Sequence, residues 1–80
     1  MPLSRWEGLL LSHIQANMAG SVWKILVKVG EDVAEGQDVV ILESMKMEIP
    51  ISAEESGRIK RINVNEGDFV NEGDVLVEYE

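Results

Sequence analysis

The chain repeats itself. Residues 20–42 and 57–79 align without a gap at an offset of 37. Gly20 matches Gly57, Ile25 matches Ile62, Gly30 matches Gly67, Val33 matches Val70, Gly36 matches Gly73 and Val40 matches Val77. Self-similarity on this scale constrains a fold more than any local propensity, because both copies must form the same supersecondary unit. Each copy opens with an apolar, β-rich run (Val22 to Val29; Ile59 to Asn65) that ends at a glycine. A short link bearing Val33 or Val70 follows, and a second glycine opens another run. Glycines mark sharp turns where φ must be positive, so Gly20, Gly30, Gly36, Gly57, Gly67 and Gly73 are expected to be structural turns, with Val33 and Val70 pinning their loops to the core. Along the first run Ile25 and Val27 share a face while Val22 lies out of step. A bulge near Trp23-Lys24, and its equivalent near Lys60-Arg61, would restore the phase.

Neither copy can bury its apolar face alone. Facing each other about a two-fold axis, both can. The expected fold is all-β: a flattened, pseudo-two-fold barrel or sandwich of two small antiparallel sheets. Eighty residues allow one small domain. Residues 1–12 fit nothing in the repeat and read as a disordered or non-native leader, leaving 13–80 as the domain. His13 is the single histidine; with no patterned partner it reads as an incidental strand residue, and no metal site is expected. There is no cysteine, so disulfides and thiolate chemistry are excluded. A net charge of −8 argues against nucleic acid or an anionic membrane as partner. No apolar run is long enough to span a bilayer or to form a signal-peptide core, and the expected location is cytoplasmic.

Between the copies lies Glu43-Ser44-Met45-Lys46-Met47-Glu48, flanked by Val39-Val40-Ile41-Leu42 and Ile49-Pro50-Ile51. Two short β-type runs so close together read as a hairpin with Lys46 at or next to its tip. The favoured two-residue turns call for Asn-Gly or Asp-Gly, and Met45-Lys46 supplies neither. Shifting Lys46 by 37 gives positions 83 and 9, at the chain ends, so the two-fold would set the tip at the pole opposite the termini. Pro50 suggests an edge strand or a bulge. Arg58, Lys60 and Arg61 form the one basic cluster, a solvated strand face or, as the lesser alternative, a docking site for an acidic partner.

The hexapeptide resembles the attachment site of the biotin/lipoyl carrier domains. Biotin carriers place the modified lysine in a Met-Lys-Met core preceded by Ala and, before it, Glu; here Met45, Lys46, Met47 and Glu43 match, and Ser44 replaces the Ala. Lipoyl domains set Asp before the lysine and Ala after it, where this chain has Met45 and Met47, so the biotin reading leads. The resemblance covers roughly His13 to Glu80. Gln15-Ala16-Asn17-Met18-Ala19-Gly20 is similar to the end of the family's first strand, with Asn17 where proline is common, and the protruding thumb of some bacterial carriers is missing.

The resemblance implies biotin, or alternatively lipoate, joined covalently to Lys46, with Glu43, Ser44, Met45, Met47 and Glu48 recognised by the modifying enzyme. It implies biotin protein ligase as that enzyme, or a lipoyl-transferring enzyme for lipoate. It also implies biotin carboxylase and carboxyltransferase subunits, between which the arm ferries a CO₂ unit. The isolated chain is expected to be a monomer. The residues agree with a substrate rather than an enzyme. A lysine amine is protonated at neutral pH and weakly nucleophilic, and nothing adjacent in sequence would activate Lys46, so another enzyme must deprotonate and acylate it. No nucleophile–base pair, metal set or phosphate loop accompanies it. Met45 and Met47 could be core gap-fillers or adaptable contact residues. The rival readings are a lipoyl or dual carrier for a 2-oxo-acid dehydrogenase complex, and an unmodified β-module that mediates protein contacts.

Overall fold

The computed structural model describes residues 11–80. Eight strands follow in order: β1 (Ser12–Gln15), β2 (Gly20–Ile25), β3 (Asp32–Val33), β4 (Asp38–Ser44), β5 (Met47–Ser52), β6 (Gly57–Ile62), β7 (Phe69–Val70) and β8 (Val75–Tyr79). β1 begins one residue before the expected domain boundary; of the expected leader, residues 1–10 lie outside the described residues. Two four-stranded antiparallel sheets form, in the orders β1-β8-β6-β3 and β5-β4-β2-β7. The sheets are not the two sequence copies. β3 of the first copy pairs with β6 of the second, and β7 of the second pairs with β2 of the first. Strand exchange lets each copy complete the other's sheet.

The register obeys the offset pair by pair. Leu42↔Ile49, Val40↔Ile51 and Asp38↔Ser52 on one sheet become Tyr79↔Ser12, Val77↔Ile14 and Val75↔Gln15 on the other. The expected bulges are present: register shifts fall between Val22 and Lys24 and between Ile59 and Arg61. A second symmetric pair lies at Val39 and Leu76. Each bulge lets consecutive apolar residues reach the same core, which is why Val39, Val40, Leu76 and Val77 are all fully buried.

The core follows the two-fold as well. Val22 and Ile59, Val33 and Val70, Leu42 and Tyr79, Ile14 and Ile51, and Ala16 and Ala53 are buried mates. Ile14/Ile51 and Ala16/Ala53 extend the equivalence to β1 and β5 and to the residues that follow them, beyond the stretch where sequence similarity is evident.

Strands β2 and β6 stop at Ile25 and Ile62, short of the glycines to which the sequence runs extend. The chain there bends into four tight turns of one design. Gly30, Gly36, Gly67 and Gly73 have φ of 90°, 83°, 96° and 91°. Each precedes a residue whose N–H donates to a carbonyl three residues back, as Glu31 does to Lys28 (3.0 Å) and Asp74 to Asn71 (3.0 Å). A glycine of positive φ at the third position is the type II arrangement. The side chains of Glu31, Gln37, Asp68 and Asp74 reach back to accept the N–H of Lys28, Ala34, Asn65 and Asn71. Gly20 and Gly57 are not turn residues. They open β2 and β6, where a Cβ would collide with the backbone oxygens of Glu43 and Glu80, so close strand approach is what demands glycine there.

Candidate functional site

The β4–β5 hairpin is rooted in the core by Leu42 and Ile51, both buried. Ser44 pairs with Met47 across its end, so Met45 and Lys46 alone make the turn. Both have positive φ, 51° and 66°. That is the signature of the type I′ hairpin turn, which matches strand twist but favours Asn-Gly. Holding an ordinary L-residue there costs about 1–2 kcal/mol, so the tip carries two strained residues where the fold requires none. Below it Glu43 lies directly across from Glu48, and like charges so placed repel. Local rules broken together mark a place shaped for something other than stability.

The turn throws its side chains into solvent. Met45 is 91% exposed and Met47 63%, so neither fills the core. Lys46 is exposed and, among the described residues, makes no ion pair. Its amine is therefore accessible, as a covalently attached group requires. Glu43 and Glu48 are exposed beside it and Ser44 is half-buried. All six residues singled out in the hexapeptide are thus gathered on one hairpin end. Gly20 closes against its stem, its missing Cβ leaving room for Glu43 O and Ser44 Cβ.

Other sequence candidates fall elsewhere. Arg58, Lys60 and Arg61 are engaged with Asp32, Glu80 and Glu78, which favours the solvated-face reading. His13 stands 3.3 Å from Glu78 Oε1, a partner brought from the far end of the chain. Pro50 lies on β5, an edge strand. Among the described residues no group of three His, Asp or Glu could hold a metal. Sequence reasoning missed the exposed Phe69 and Trp23 near the hairpin. Comparing each with its repeat mate, Asp32 and Lys60, would have exposed them.

A family model described as biotin-requiring enzyme, of the biotin/lipoyl type, matches residues 12–79. The chain is 58% identical over 65 residues to a biotin/lipoyl attachment protein of Bacillus subtilis, covering 81% of this chain and 89% of that one. It is 49% identical over 69 residues to pyruvate carboxylase of Staphylococcus aureus, covering 86% of this chain but only 6% of that protein. The lipoyl domain of the 2-oxoglutarate dehydrogenase complex from Azotobacter vinelandii superposes with a TM-score of 0.68 at 29% identity, over 84% of this chain and 95% of that one.

Proposed function

The chain belongs to the biotin/lipoyl attachment family, and from that premise we propose that it is a carrier acylated with biotin on Lys46 that serves a biotin-dependent carboxylase. The observation that carries this reading is the tip itself: an exposed lysine, held in a strained two-residue turn between two exposed methionines. The tip has no catalytic apparatus of its own. A biotin ligase would take the proton from Lys46 Nζ as the amine attacks the activated biotinyl carbon, expelling the nucleotide and forming an amide. When bound, biotin supplies reversible carriage of a CO₂ unit. The chain's own residues anchor the arm: Leu42 and Ile51 hold the hairpin in a rigid barrel while Lys46 projects from it. A flexible arm on a rigid anchor raises effective concentration at two separate sites without adding contacts.

Lipoate is the second reading, favoured by the likeness to a lipoyl domain. Met45 and Met47 weigh for biotin, because flexible apolar side chains suit a pocket in which an acidic residue would bury an unpaired charge. The test is intact-mass measurement after incubation with a biotin ligase and, in parallel, with a lipoyl-transferring enzyme. One biotinyl group is expected, mapped by peptide analysis to Lys46, with little lipoylation. Lys46→Ala should fold, by circular dichroism, and remain unlabelled. Labelling of that variant would disprove the site, and preferential lipoylation of the wild type would reverse the choice of cofactor.

A further inference from the structure

The two-fold supplies an internal comparison of the barrel's two outer faces. On the β1-β8-β6-β3 sheet, one solvent-facing row is His13, Glu78 and Arg61; the next is Glu80, Arg58 and Asp32. These groups neutralise one another: Arg58 Nε to Asp32 Oδ1 at 3.0 Å, Lys60 Nζ to Glu80 Oε1 at 3.0 Å, and Glu78 between His13 and Arg61 at 3.3 and 3.7 Å. On the sheet that bears the hairpin, the first row becomes Pro50, Ile41 and Lys24, and the second becomes Glu43, Ser21 and Phe69. Trp23 replaces Lys60. The register is the same at each position, so the exchange of a self-paired charged face for one that carries Ile41, Trp23 and Phe69 among its polar residues is not a demand of the fold.

Phe69 is 67% exposed and Trp23 42%. Phe69 shares a transverse row with Ser21, Glu43 and Glu48, one residue pair below the Ser44–Met47 pair that closes the turn. Strands lie about 4.8 Å apart, so it stands two strands, roughly 10 Å, from Glu43. Lys24 leans over the Trp23 ring, its ammonium 5.7 Å from the centroid, and makes no ion pair among the described residues.

A two-residue tip cannot supply the interface a specific encounter needs, about 800 Å² per partner. A lysine side chain reaches only about 6 Å from its Cα. Whatever acylates the bare amine must therefore close down on the barrel beside the hairpin. An attached arm later extends that reach, so the proteins visited afterwards need not approach so closely. We propose that the outer face of the β5-β4-β2-β7 sheet, centred on Phe69 and Ile41, is the docking surface for the ligase that acylates Lys46, which meets it with an apolar patch and a carboxylate opposite Lys24. Exposed aromatic anchors of this kind dominate interface energetics. This inference rests on the attachment reading above.

The test gives the face the residues its two-fold mate already carries. Phe69→Asp with Ile41→Glu is compared with wild type in the initial rate of biotinylation by purified ligase at limiting carrier. Gln15→Glu with Asn63→Asp adds the same charge elsewhere as a control, and Phe69→Ser repeats the test with the smallest disturbance. The face variant should be labelled about tenfold more slowly with an unchanged circular dichroism spectrum, Phe69→Ser more slowly than wild type, and the control within twofold of it. Wild-type rates for the two face variants, or equal slowing of face variant and control, would overturn the docking face while leaving attachment at Lys46 intact. A wild type that the ligase does not label would instead overturn the attachment reading, and the docking face with it.

Discussion

Met45 and Lys46 occupy the left-handed region at φ of 51° and 66°, where Asn-Gly would relieve the turn. Stability alone would therefore disfavour the residues present, which agrees with the attachment role proposed for the tip. This makes a prediction that separates stability from modification. Lys46→Gly removes a side chain that contributes nothing to the core and permits the turn's φ. It should stabilise the barrel by about 1 kcal/mol, a rise of roughly 4–8 °C in melting temperature for a domain this size. A thermal melt reads it directly: a variant no more stable than wild type would mean the turn is unstrained. That Lys46 lies at or next to the tip was legible in the sequence, because the runs around it make a hairpin. The positive φ values were not, since Met and Lys carry no turn signal.

Among the elements, the four glycine turns follow one rule, and the surroundings of Gly36 isolate it. A Cβ there would meet nothing within 4 Å, and φ is +83°, so only backbone strain opposes substitution. Gly36→Val should cost on the order of 1–3 kcal/mol and Gly36→Asn much less, since Asn tolerates the left-handed region. Chemical denaturation compares them; equal losses would mean that bulk, not conformation, sets the cost. Glu35→Ala, at the exposed neighbour, should be close to neutral. The bulges at Trp23-Lys24 and Lys60-Arg61 were legible, because an alternation that slips in both copies has to be repaired in both. The acceptor role of Glu31, Gln37, Asp68 and Asp74 was not, because a polar or acidic residue after a glycine reads first as solvated surface. Nor was the assignment of Gly20 and Gly57 to strands, which depends on backbone oxygens of Glu43 and Glu80 arriving from elsewhere in the chain.

For the whole molecule, symmetry of register and asymmetry of surface can be set against each other. Sequence periodicity revealed the two-fold but not the strand exchange, because pairing between copies depends on long-range packing that no local pattern encodes. Ser12 lies across from Tyr79 as Ile49 lies across from Leu42. Joining Glu80 to Ser12 through Ser-Met-Lys-Met-Glu would therefore rebuild, on the opposite sheet, the hairpin end that Glu43 to Glu48 forms on its own. Opening the chain between Glu54 and Glu55, both exposed, gives a circular permutant with two Met-Lys-Met tips on one barrel. It should fold, because every paired strand is retained and the new loop matches a register that already exists. The tips would share their local sequence and differ in the face beneath: Phe69, Ile41 and Trp23 under one, the ion pairs of Asp32, Glu78 and Lys60 under the other. Biotin ligase should label Lys46 faster than the grafted lysine by about tenfold, read by peptide mapping over time. Equal rates would place recognition in the hexapeptide alone, whereas a strong preference for Lys46 would show that the ligase reads the sheet as well as the tip.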